Sequence, residues 1–407
     1  MNELTKDQRK FDAIVCLSAI DWDFLWQRTQ EIMSQFASMG YPVLFVENTG
    51  VRVPSLKDAP RVWNRLSKLF FSRIHKHEAE INKSVKIFSP IALPFPYSPA
   101  AVKWNSVYLR KNILRFSREN NIPLNRMLLW SYMTTPLAVN LAQTLPWAGI
   151  VIDIVSDPSK VKGAEDIILS HQRMLELADI VLCASVPVLN NAKQQLGESN
   201  IPKIRLFEDG FSTRLLDILQ PESGEPEAPE NSTGGPLAAY IGGINNKIWW
   251  DAVSEMAVKH PEICFAFVGP KEVSKIPCEG FGKNVKWYPA FKQYSQLGFF
   301  LGKCNIGLIP YVSTCYVSAM RPAKINEYLV KGLPIVATKM PELERLSLEC
   351  GPGIIYLADN PSDFVSQLEL ALEEDCRELR KKRQQIAKQR SWDIICRELE
   401  SILQTYK

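Results

Sequence analysis

Short runs of β-branched and other hydrophobic residues alternate along the chain with longer segments in which apolar residues recur at helical spacing. The first repeat of this pattern has hydrophobic runs at 13–18 and 42–48, separated by an amphipathic stretch at 26–40 that ends at Gly40. Two buried runs joined by a helical segment that glycine closes are typical of a β-α-β unit with parallel strands. The pattern therefore predicts an α/β protein in which helices flank a parallel sheet.

The alternation continues in two series, which a polar segment separates. Residues 220–236 are dense in proline, glycine, serine and acidic residues and cannot bury apolar surface, so they are predicted to form a linker. We predict doubly wound domains at 1–215 and 237–385, a linker at 216–236 and a last helical segment at 386–407. Further strands are predicted at 85–90, 127–132, 149–155, 179–185, 203–209, 237–243, 264–270, 285–289, 305–311, 334–338 and 353–358. Open α/β sheets bind ligands beyond the carboxyl ends of their strands, so two such domains are predicted to face a cleft.

The C-terminal tail is predicted to be helical. Residues 373–390 are polar almost all round, which favours a solvated helix. Residues 391–404 regain an apolar face, which must pack on another element. This predicted face is formed by Trp392, Ile394, Ile395, Leu399 and Ile402.

Composition and charge narrow the functional classes. The 407 residues are 46% hydrophobic, enough to bury two cores, and a net charge of +4 is too small to indicate a nucleic-acid partner. The nine cysteines form no C-x-x-C pair, which favours reduced thiols, and the four histidines do not cluster as metal ligands do. The first residues lack an apolar signal-peptide core, and no run reaches the ~18 apolar residues of a membrane span. We therefore predict a cytoplasmic protein without a bound metal.

The segment 321–332, RPAKINEYLVKG, is the strongest candidate for chemistry. It follows a predicted strand and a loop, with Pro322 in the first helical turn and glycine at the stop. Free N–H groups at a helix start suit a diphosphate, and Arg321 and Lys324 flank that end. Glu327 could accept hydrogen bonds from the two hydroxyls of a ribose. The alternative is an amphipathic helix that binds nothing.

This segment resembles the donor-site helix of retaining nucleotide-sugar glycosyltransferases of the GT-B class, whose pattern is roughly P-x-K-x-x-E-Y-L-A-x-G-x-P-V-V-A-T. The matching residues are Pro322, Lys324, Glu327, Tyr328, Leu329, Gly332, Pro334, Val336, Ala337 and Thr338. The resemblance implies that Glu327 holds the ribose. It also implies that the amides of Ser318, Ala319, Met320 and Arg321, with Lys324 or Arg321, hold the phosphates. Many relatives have a second, sugar-facing glutamate eight positions before the first, where this chain has Ala319.

The predicted strand that ends at Gly242 and Gly243 is a second candidate. Paired glycines let a ligand approach the backbone closely, and in the resembled class this turn also faces the donor phosphates. Lys247 and Asn245 are the polar side chains expected there, while a plain tight turn is the alternative. The neighbouring Trp249 and Trp250 are interpreted as packing residues.

Three further groups of residues are candidates in or near the first domain. The exit of the first strand has Asp21, Asp23, Gln27 and Arg28 at a helix start, where Asp21 or Arg28 could contact acceptor or donor phosphate. A helix cap with a surface salt bridge is the alternative there. Cleft-edge positions are predicted for Asp157, Asp209 and Gly210, while Asp153 is interpreted as a buried, hydrogen-bonded carboxylate. Residues 61–77 are a basic amphipathic stretch that suits either an anionic membrane surface or packing on the first domain.

The resemblance extends over about residues 13–400 and implies sugar transfer with retention of configuration. The donor would be a UDP or GDP sugar and the acceptor a glycan or lipid-linked glycan in cell-surface polysaccharide synthesis, with 386–407 crossing back to the first domain. Catalytic roles are predicted for Asp21, Arg28, Arg321 and Lys324, without a metal ion or other cofactor. An inactive relative that binds nucleotide or glycan in a biosynthetic complex is the alternative that Ala319 motivates. A dehydrogenase is disfavoured because no G-x-G-x-x-G follows the first strand.

Overall fold

The computed structural model describes residues 9–24, 26–50, 84–93, 95–156, 167–212, 233–272, 281–291, 294–318 and 320–406. The chain divides into two compact units, Met1–Phe207 with Cys396–Lys407 as unit 1, and Glu208–Ile395 as unit 2. The first crossing between units therefore follows Phe207, earlier than the boundary expected near 215. The predicted basic stretch at 61–77 and the positions of Asp157 and Ala319 lie outside the described residues, as does most of the predicted linker.

Unit 1 contains a parallel sheet whose described strands follow the order β3-β2-β1-β4-β5-β6-β7. The strands are β1 (Ala13–Leu17), β2 (Val43–Val46), β3 (Val85–Phe88), β4 (Met127–Ser131), β5 (Gly149–Ile154), β6 (Ile180–Cys183) and β7 (Ile204–Leu206). The helices around them are α1 (Arg28–Ser38), α2 (Pro99–Asn120), α3 (Pro136–Thr144), α4 (Ile167–Leu177) and α5 (Val186–Leu196). Central strands β1 and β4 are buried along their whole length because helices cover both faces, which is why they read as continuous hydrophobic runs.

Unit 2 repeats the architecture with a parallel sheet in the order β10-β9-β8-β11-β12-β13. Its strands are β8 (Leu237–Ile241), β9 (Cys264–Val268), β10 (Val285–Tyr288), β11 (Ile306–Ile309), β12 (Ile335–Thr338) and β13 (Ile355–Ala358). Its helices are α6 (Trp250–Lys259), α7 (Tyr294–Lys303), α8 (Cys315–Ser318), α9 (Lys324–Val330), α10 (Pro341–Cys350), α11 (Pro361–Glu373) and α12 (Arg377–Lys388). The helix α13 (Trp392–Thr405) begins in unit 2 and ends in unit 1. The prediction of two doubly wound parallel-sheet domains is confirmed, and the strand bounds agree with the predicted runs to within a few residues.

Each strand order reverses direction at one place, between β1 and β4 in unit 1 and between β8 and β11 in unit 2. The connections that leave the two strands at such a point go to opposite faces of the sheet, which opens a crevice at the carboxyl ends. The segments that follow β8 and β11 are those that the sequence selected as ligand-binding in the second domain.

The tail differs from its prediction in two respects. The polar helix α12 is not simply solvated, because Arg383 is fully buried and donates hydrogen bonds to the carbonyl oxygens of Gly332 (3.0 Å) and Gly353. The buried apolar face of α13 consists of Trp392, Cys396, Leu399 and Leu403. Two residues of the predicted face, Ile394 and Ile402, are instead 40% and 38% exposed. The buried positions 392, 396, 399 and 403 recur at three- and four-residue intervals, as one face of a helix requires, and Ile394 and Ile402 fall outside that face.

Candidate functional site

The turn after β8 brings two glycines of unit 2 into close backbone contact. Gly242 has φ of 125° and Gly269, which follows β9, has φ of 154°. A Cβ atom on Gly269 would lie 1.9 Å from the carbonyl oxygen of Gly242, so a side chain cannot be accommodated there. The Gly242 amide donates to the carbonyl oxygen of Val268 (2.9 Å). The turn is thus held against the sheet by contacts that only glycine permits.

Lys324 reaches this turn from the start of α9. Its Nζ atom donates to the hydroxyl oxygen of Tyr311 (2.7 Å) and lies 3.7 Å from the centre of the Tyr240 ring. A Cβ atom on Gly242 would lie 3.3 Å from the same Nζ atom. Burial lowers the pKa of Lys324, although Tyr311 and Glu327 oppose that effect. A mostly desolvated ammonium group therefore lies directly behind the glycine turn, where it would interact strongly with an anion.

Tyr311 positions this ammonium group and was not selected from the sequence. Its amide donates to the Thr338 hydroxyl (2.8 Å), which in turn donates to the Tyr311 carbonyl oxygen (2.6 Å). Its backbone also forms an isolated β-bridge with Ile248, so the chain after β11 is tied to β12 and to the segment before α6. The sequence could have indicated Tyr311, because this residue lies at the end of a predicted strand, next to the point where the strand order of the sheet reverses.

Lys247 adds a second cation to the same region. Its charge lowers the pKa of Lys324 further, and its Nζ atom lies 3.9 Å from the sulfur of Met320. Its backbone is held at both ends, because its amide donates to the Asn245 side chain (3.0 Å) and its carbonyl oxygen accepts from Val312 (2.8 Å). The loop that contains Met320 is thereby joined to the segment after the paired glycines.

The helix at the expected anion site is shorter than the one predicted from Pro322 to Gly332. The helix runs from Lys324 to Val330 and is only seven residues long, without a side-chain cap. Glu327 is half-buried in the first turn, and its charge raises the pKa of Lys324. Ser318 and Met320 are also half-buried in the preceding loop.

Arg321 has different neighbours from Lys324. Its guanidinium is buried and approaches the Glu208 carboxylate (Nε to Oε1, 3.4 Å), the Asp209 carbonyl oxygen (3.4 Å) and the Asn326 side-chain oxygen (3.3 Å). Glu208 also pairs with Arg345 and Arg390. The structure therefore places Arg321 in an ion-pair cluster around Glu208, whereas the sequence suggested that Arg321 and Lys324 flank one phosphate site.

The segment after Glu208 is bound to α9 and to the start of α13. Asn326 donates to the carbonyl oxygens of Asp209 (2.9 Å) and Gly210 (3.0 Å). A Cβ atom on Gly210 would lie 2.8 Å from the Arg390 carbonyl oxygen, and Phe211 pairs with Ser391 as parallel chains. Asp209 is thus placed by backbone contacts inside unit 2. Residues 208–211, which follow the first boundary between the units, therefore lie beside residues 390–391, which precede the second.

In unit 1, Arg28 and Asp153 form a buried ion pair. Both Asp153 oxygens lie 3.0 Å from the Arg28 Nε atom, and the guanidinium also lies over the Phe207 ring at 4.8 Å. Arg28 is 5% exposed and Asp153 is 2% exposed, so the carboxylate is buried and hydrogen-bonded, as the residues suggested. Burial, together with the Asp153 charge, raises the pKa of Tyr132, which follows β4.

The start of α1 near Arg28 is a capping box rather than a surface salt bridge. The Gln27 amide donates to the Gln30 side chain (3.2 Å), and the Gln27 side chain accepts from the backbone in return. Asp21 is half-buried and Asp23 is exposed in the loop before it. The Trp22 amide in this loop donates to Glu47 (2.8 Å), which anchors the loop at the carboxyl end of the unit 1 sheet.

Two further findings concern the part of the chain that the structure describes. None of its helices is long and apolar enough to span a bilayer. No group of three or more His, Cys, Asp and Glu side chains in the same residues could hold a metal ion.

Comparisons with known proteins agree with this architecture. No protein-family model matches the chain. TuaH of Bacillus subtilis (strain 168), which is described as a teichuronic acid biosynthesis glycosyltransferase, is 26% identical over 242 residues. That match covers 56% of this chain and 57% of TuaH, so the chain spans little more than half the length of this curated relative.

Solved structures match along almost the whole chain. HepE of Anabaena, in complex with UDP and glucose, has a TM-score of 0.64 at 12% identity, covering 96% of this chain and 99% of HepE. Sucrose-phosphate synthase of Thermosynechococcus elongatus has a TM-score of 0.67 at 13% identity, with 96% and 98% covered. WaaG, a glycosyltransferase of lipopolysaccharide biosynthesis, has a TM-score of 0.56 at 12% identity, with 97% and 100% covered. The chain has the GT-B fold and resembles the glycosyltransferases of that class.

Proposed function

We propose that the chain transfers a sugar from a nucleotide diphosphate sugar to a glycan or lipid-linked glycan in the synthesis of a cell-surface polysaccharide. Transfer would retain the configuration of the sugar and need no metal ion or other cofactor. The observation behind this proposal is the buried Lys324 ammonium behind the glycine turn of Gly242, 2.7 Å from the Tyr311 hydroxyl oxygen, with Lys247 tied through its carbonyl oxygen to the chain just after Tyr311. Two cations and a close backbone approach suit the diphosphate of a donor, whose negative charge increases as the sugar leaves.

The proposal extends to the remaining donor contacts. Glu327 would accept the ribose hydroxyls, and the backbone of Ser318, Met320 and the glycine turn would face the phosphates. Unit 2 would thus bind the donor and unit 1 the acceptor, with Asp21 as the unit 1 side chain to test. UDP is the first nucleotide to test because the similar HepE structure contains UDP. TuaH supports a polysaccharide acceptor, and the enzyme would work in the cytoplasm at the inner face of the membrane.

Calorimetry with UDP and GDP tests the donor site. Lys324→Met and Lys247→Met keep most of the side-chain volume but remove the charge, and each should raise the Kd for UDP at least tenfold, which is about 1.4 kcal/mol. Lys339→Met is the matched control, because Lys339 is an exposed lysine of the same unit. Equal affinity of all three variants and the parent would refute the assignment.

A second experiment separates the ribose contact from the phosphate contacts. The parent should prefer UDP to 2′,3′-dideoxy-UDP, and Glu327→Gln should lose most of that preference while the protein keeps its melting temperature. A glutamine that leaves the preference unchanged would show that Glu327 does not contact the ribose.

An inactive relative that only binds nucleotide or glycan is the second candidate, motivated by Ala319 in place of a sugar-facing glutamate. Purified protein should release UDP or GDP from a donor sugar in the presence of acceptor and EDTA, and NMR of the product should show the donor's anomeric configuration. Nucleotide binding without any turnover across donors and acceptors would favour the binding subunit. Turnover that EDTA abolishes would contradict metal independence.

A further inference from the structure

The second glycine of the turn after β8 faces a carboxylate. A Cβ atom on Gly243 would collide with the side chain of Glu272, whereas one on the neighbouring Gly242 would lie 3.3 Å from the Lys324 Nζ atom. Lys324 is buried and Glu272 is exposed. The two adjacent glycines thus face groups of opposite charge, and the carboxylate is the one in contact with solvent.

The Glu272 carboxylate is held at this position by Asn245. The Asn245 side chain donates to Glu272 Oε2 (2.9 Å) and accepts from the Lys247 amide (3.0 Å), so both of its polar ends are engaged. The backbone adds two contacts, because the Glu272 amide donates to the Ile244 carbonyl oxygen (2.9 Å) and Ile244 pairs with Lys271 as parallel chains. Side-chain and backbone contacts together therefore attach the carboxylate to the turn.

The charge of Glu272 is not neutralised by a neighbouring side chain. Its hydrogen bond is to a neutral amide, and it pairs with no lysine or arginine among the residues that the structure describes. Burial raises the pKa of Tyr240, whose hydroxyl donates to the Gly243 carbonyl oxygen (2.9 Å), and the Glu272 charge raises it further. A group bound at the turn would therefore experience this negative charge together with the positive charges of the lysines.

We propose that Glu272 lets the site discriminate a nucleotide diphosphate sugar from the free nucleotide diphosphate, an inference that rests on the proposed function. The free diphosphate has about one more negative charge at neutral or higher pH, because its terminal phosphate has a second pKa of about 6. Lys324 and Lys247 attract both ligands. A carboxylate at the same turn opposes that attraction, and it does so more strongly for the more highly charged ligand.

The additional charge arises in the transfer itself. When the bond between the anomeric carbon and the phosphate oxygen breaks, that oxygen keeps the electron pair. The acceptor oxygen forms the new bond to the sugar, and the acceptor proton passes to solvent. The remaining diphosphate is the more negative species, so Glu272 favours its release over that of unreacted donor. Because the carboxylate is exposed and screened by water, we expect a discrimination of about three- to tenfold.

Calorimetry of the full chain at about pH 8 tests this inference by comparing UDP with its terminal methyl ester, and GDP with its own. The ester has the charge of a donor but no sugar, so the ratio of the two Kd values measures the effect of charge alone. Glu272→Gln keeps the side-chain volume and can still accept from Asn245. It should lower the Kd for the diphosphate at least threefold more than the Kd for the ester, whereas a merely structural role would weaken both ligands.

Two further variants serve as controls. Glu272→Asp keeps the charge and should keep most of the parent's ratio. Glu373→Gln removes an exposed carboxylate at the end of α11 in the same unit, so it changes the net charge equally and should leave the ratio unchanged. An equally large effect in Glu373→Gln would show that net charge, and not the position of Glu272, sets the ratio, which would overturn the inference.

The remaining outcomes separate this inference from the proposed function. If Glu272→Gln changes both Kd values by the same factor, or weakens both ligands, the inference is wrong while the donor site stands. If the parent binds neither UDP nor GDP, the donor site itself is refuted, and the role of Glu272 with it.

Discussion

The Nζ atom of Lys324 lies 2.7 Å from the hydroxyl oxygen of Tyr311, where burial lowers the pKa of the lysine. Tyr311 is fastened through its backbone to Thr338 of β12, so the ammonium group is held in place before any ligand arrives. Such preorganisation reduces the free energy that binding must spend on ordering side chains. The Lys324 and Tyr311 pair is therefore the part of the proposed donor site that substitutions can test most directly.

Tyr311→Phe keeps the ring beside Lys324 but removes the hydroxyl group. A hydrogen bond to a charged group contributes about 1.5–3 kcal/mol of stabilisation. In the variant, a bound phosphate can replace part of the lost interaction with the Lys324 ammonium, so we expect the Kd for UDP to rise about tenfold. Tyr356→Phe is a matched control, because the Tyr356 hydroxyl also contacts a charged group, Glu374 (2.7 Å), in unit 2. An unchanged Kd in Tyr311→Phe would show that the hydroxyl does not position the lysine.

The affinity for UDP should depend on pH through Lys324. The pKa of the free protein's Lys324 lies below the ordinary value of 10.5, and a bound diphosphate would raise it by favouring the charged form. Binding should therefore take up protons, and affinity should fall as pH rises through the lowered pKa. Calorimetry in two buffers of different ionisation enthalpy measures the proton uptake. Lys324→Arg stays charged throughout and should remove that dependence, so an equal slope in this variant would contradict the assignment.

Glu208 should stabilise unit 2 in a pH-dependent way. Burial alone would raise its pKa, but Arg321, Arg390 and Arg345 together bring it below the ordinary value of 4.5. Its stabilisation is present above the unfolded-state pKa and is lost as pH falls through the lower folded-state value.

Glu208→Gln leaves three arginines without their shared carboxylate, and we expect it to lower the free energy of unfolding at neutral pH by about 3–5 kcal/mol. Urea unfolding followed by tryptophan fluorescence should show that the loss shrinks as pH falls below about 4.5, where the glutamate of the unfolded parent becomes protonated, and is smallest below the lower folded-state pKa. The control Glu349→Gln removes an exposed partner of Arg345 and should change stability by less than about 1 kcal/mol. A loss for Glu208→Gln that is constant with pH would contradict this account.

The pair of Arg28 and Asp153 distinguishes a structural role from a catalytic one. Asp153→Asn leaves a buried arginine without its carboxylate and should destabilise the protein by about 3–5 kcal/mol. The double variant Arg28→Met with Asp153→Leu should recover much of this loss, because neither charge is then buried alone. If the double variant is stable and transfers sugar, Arg28 is not catalytic. If the double variant is stable but inactive, the result supports the catalytic role that the sequence predicts for Arg28.

The fold was predictable because the strands of each sheet are buried on both faces. Continuous apolar runs such as 13–17 and 335–338, placed between amphipathic segments, are typical of strands in a parallel sheet that helices cover on both faces. Glycine stops and the matched pattern at 322–338 likewise located Lys324 and Glu327 on the right helix, because those signals depend on local backbone chemistry. Single buried charges were harder to predict from the sequence. Arg383 is an example, since it lies in a polar helix but is buried and donates to carbonyl oxygens that are distant in the sequence.

The sequence by itself determined the two parallel sheets, their helices and the segment around Lys324, since these follow from periodicity, caps and turns within short stretches of chain. Tertiary structure decided which charges meet. It turned Arg321 toward Glu208, buried Arg28 against Asp153 and placed Tyr311 beside Lys324, because each contact joins residues on separate elements of the fold. Electrostatic partners depend on distances of a few ångströms between separate elements, and no local pattern records those distances.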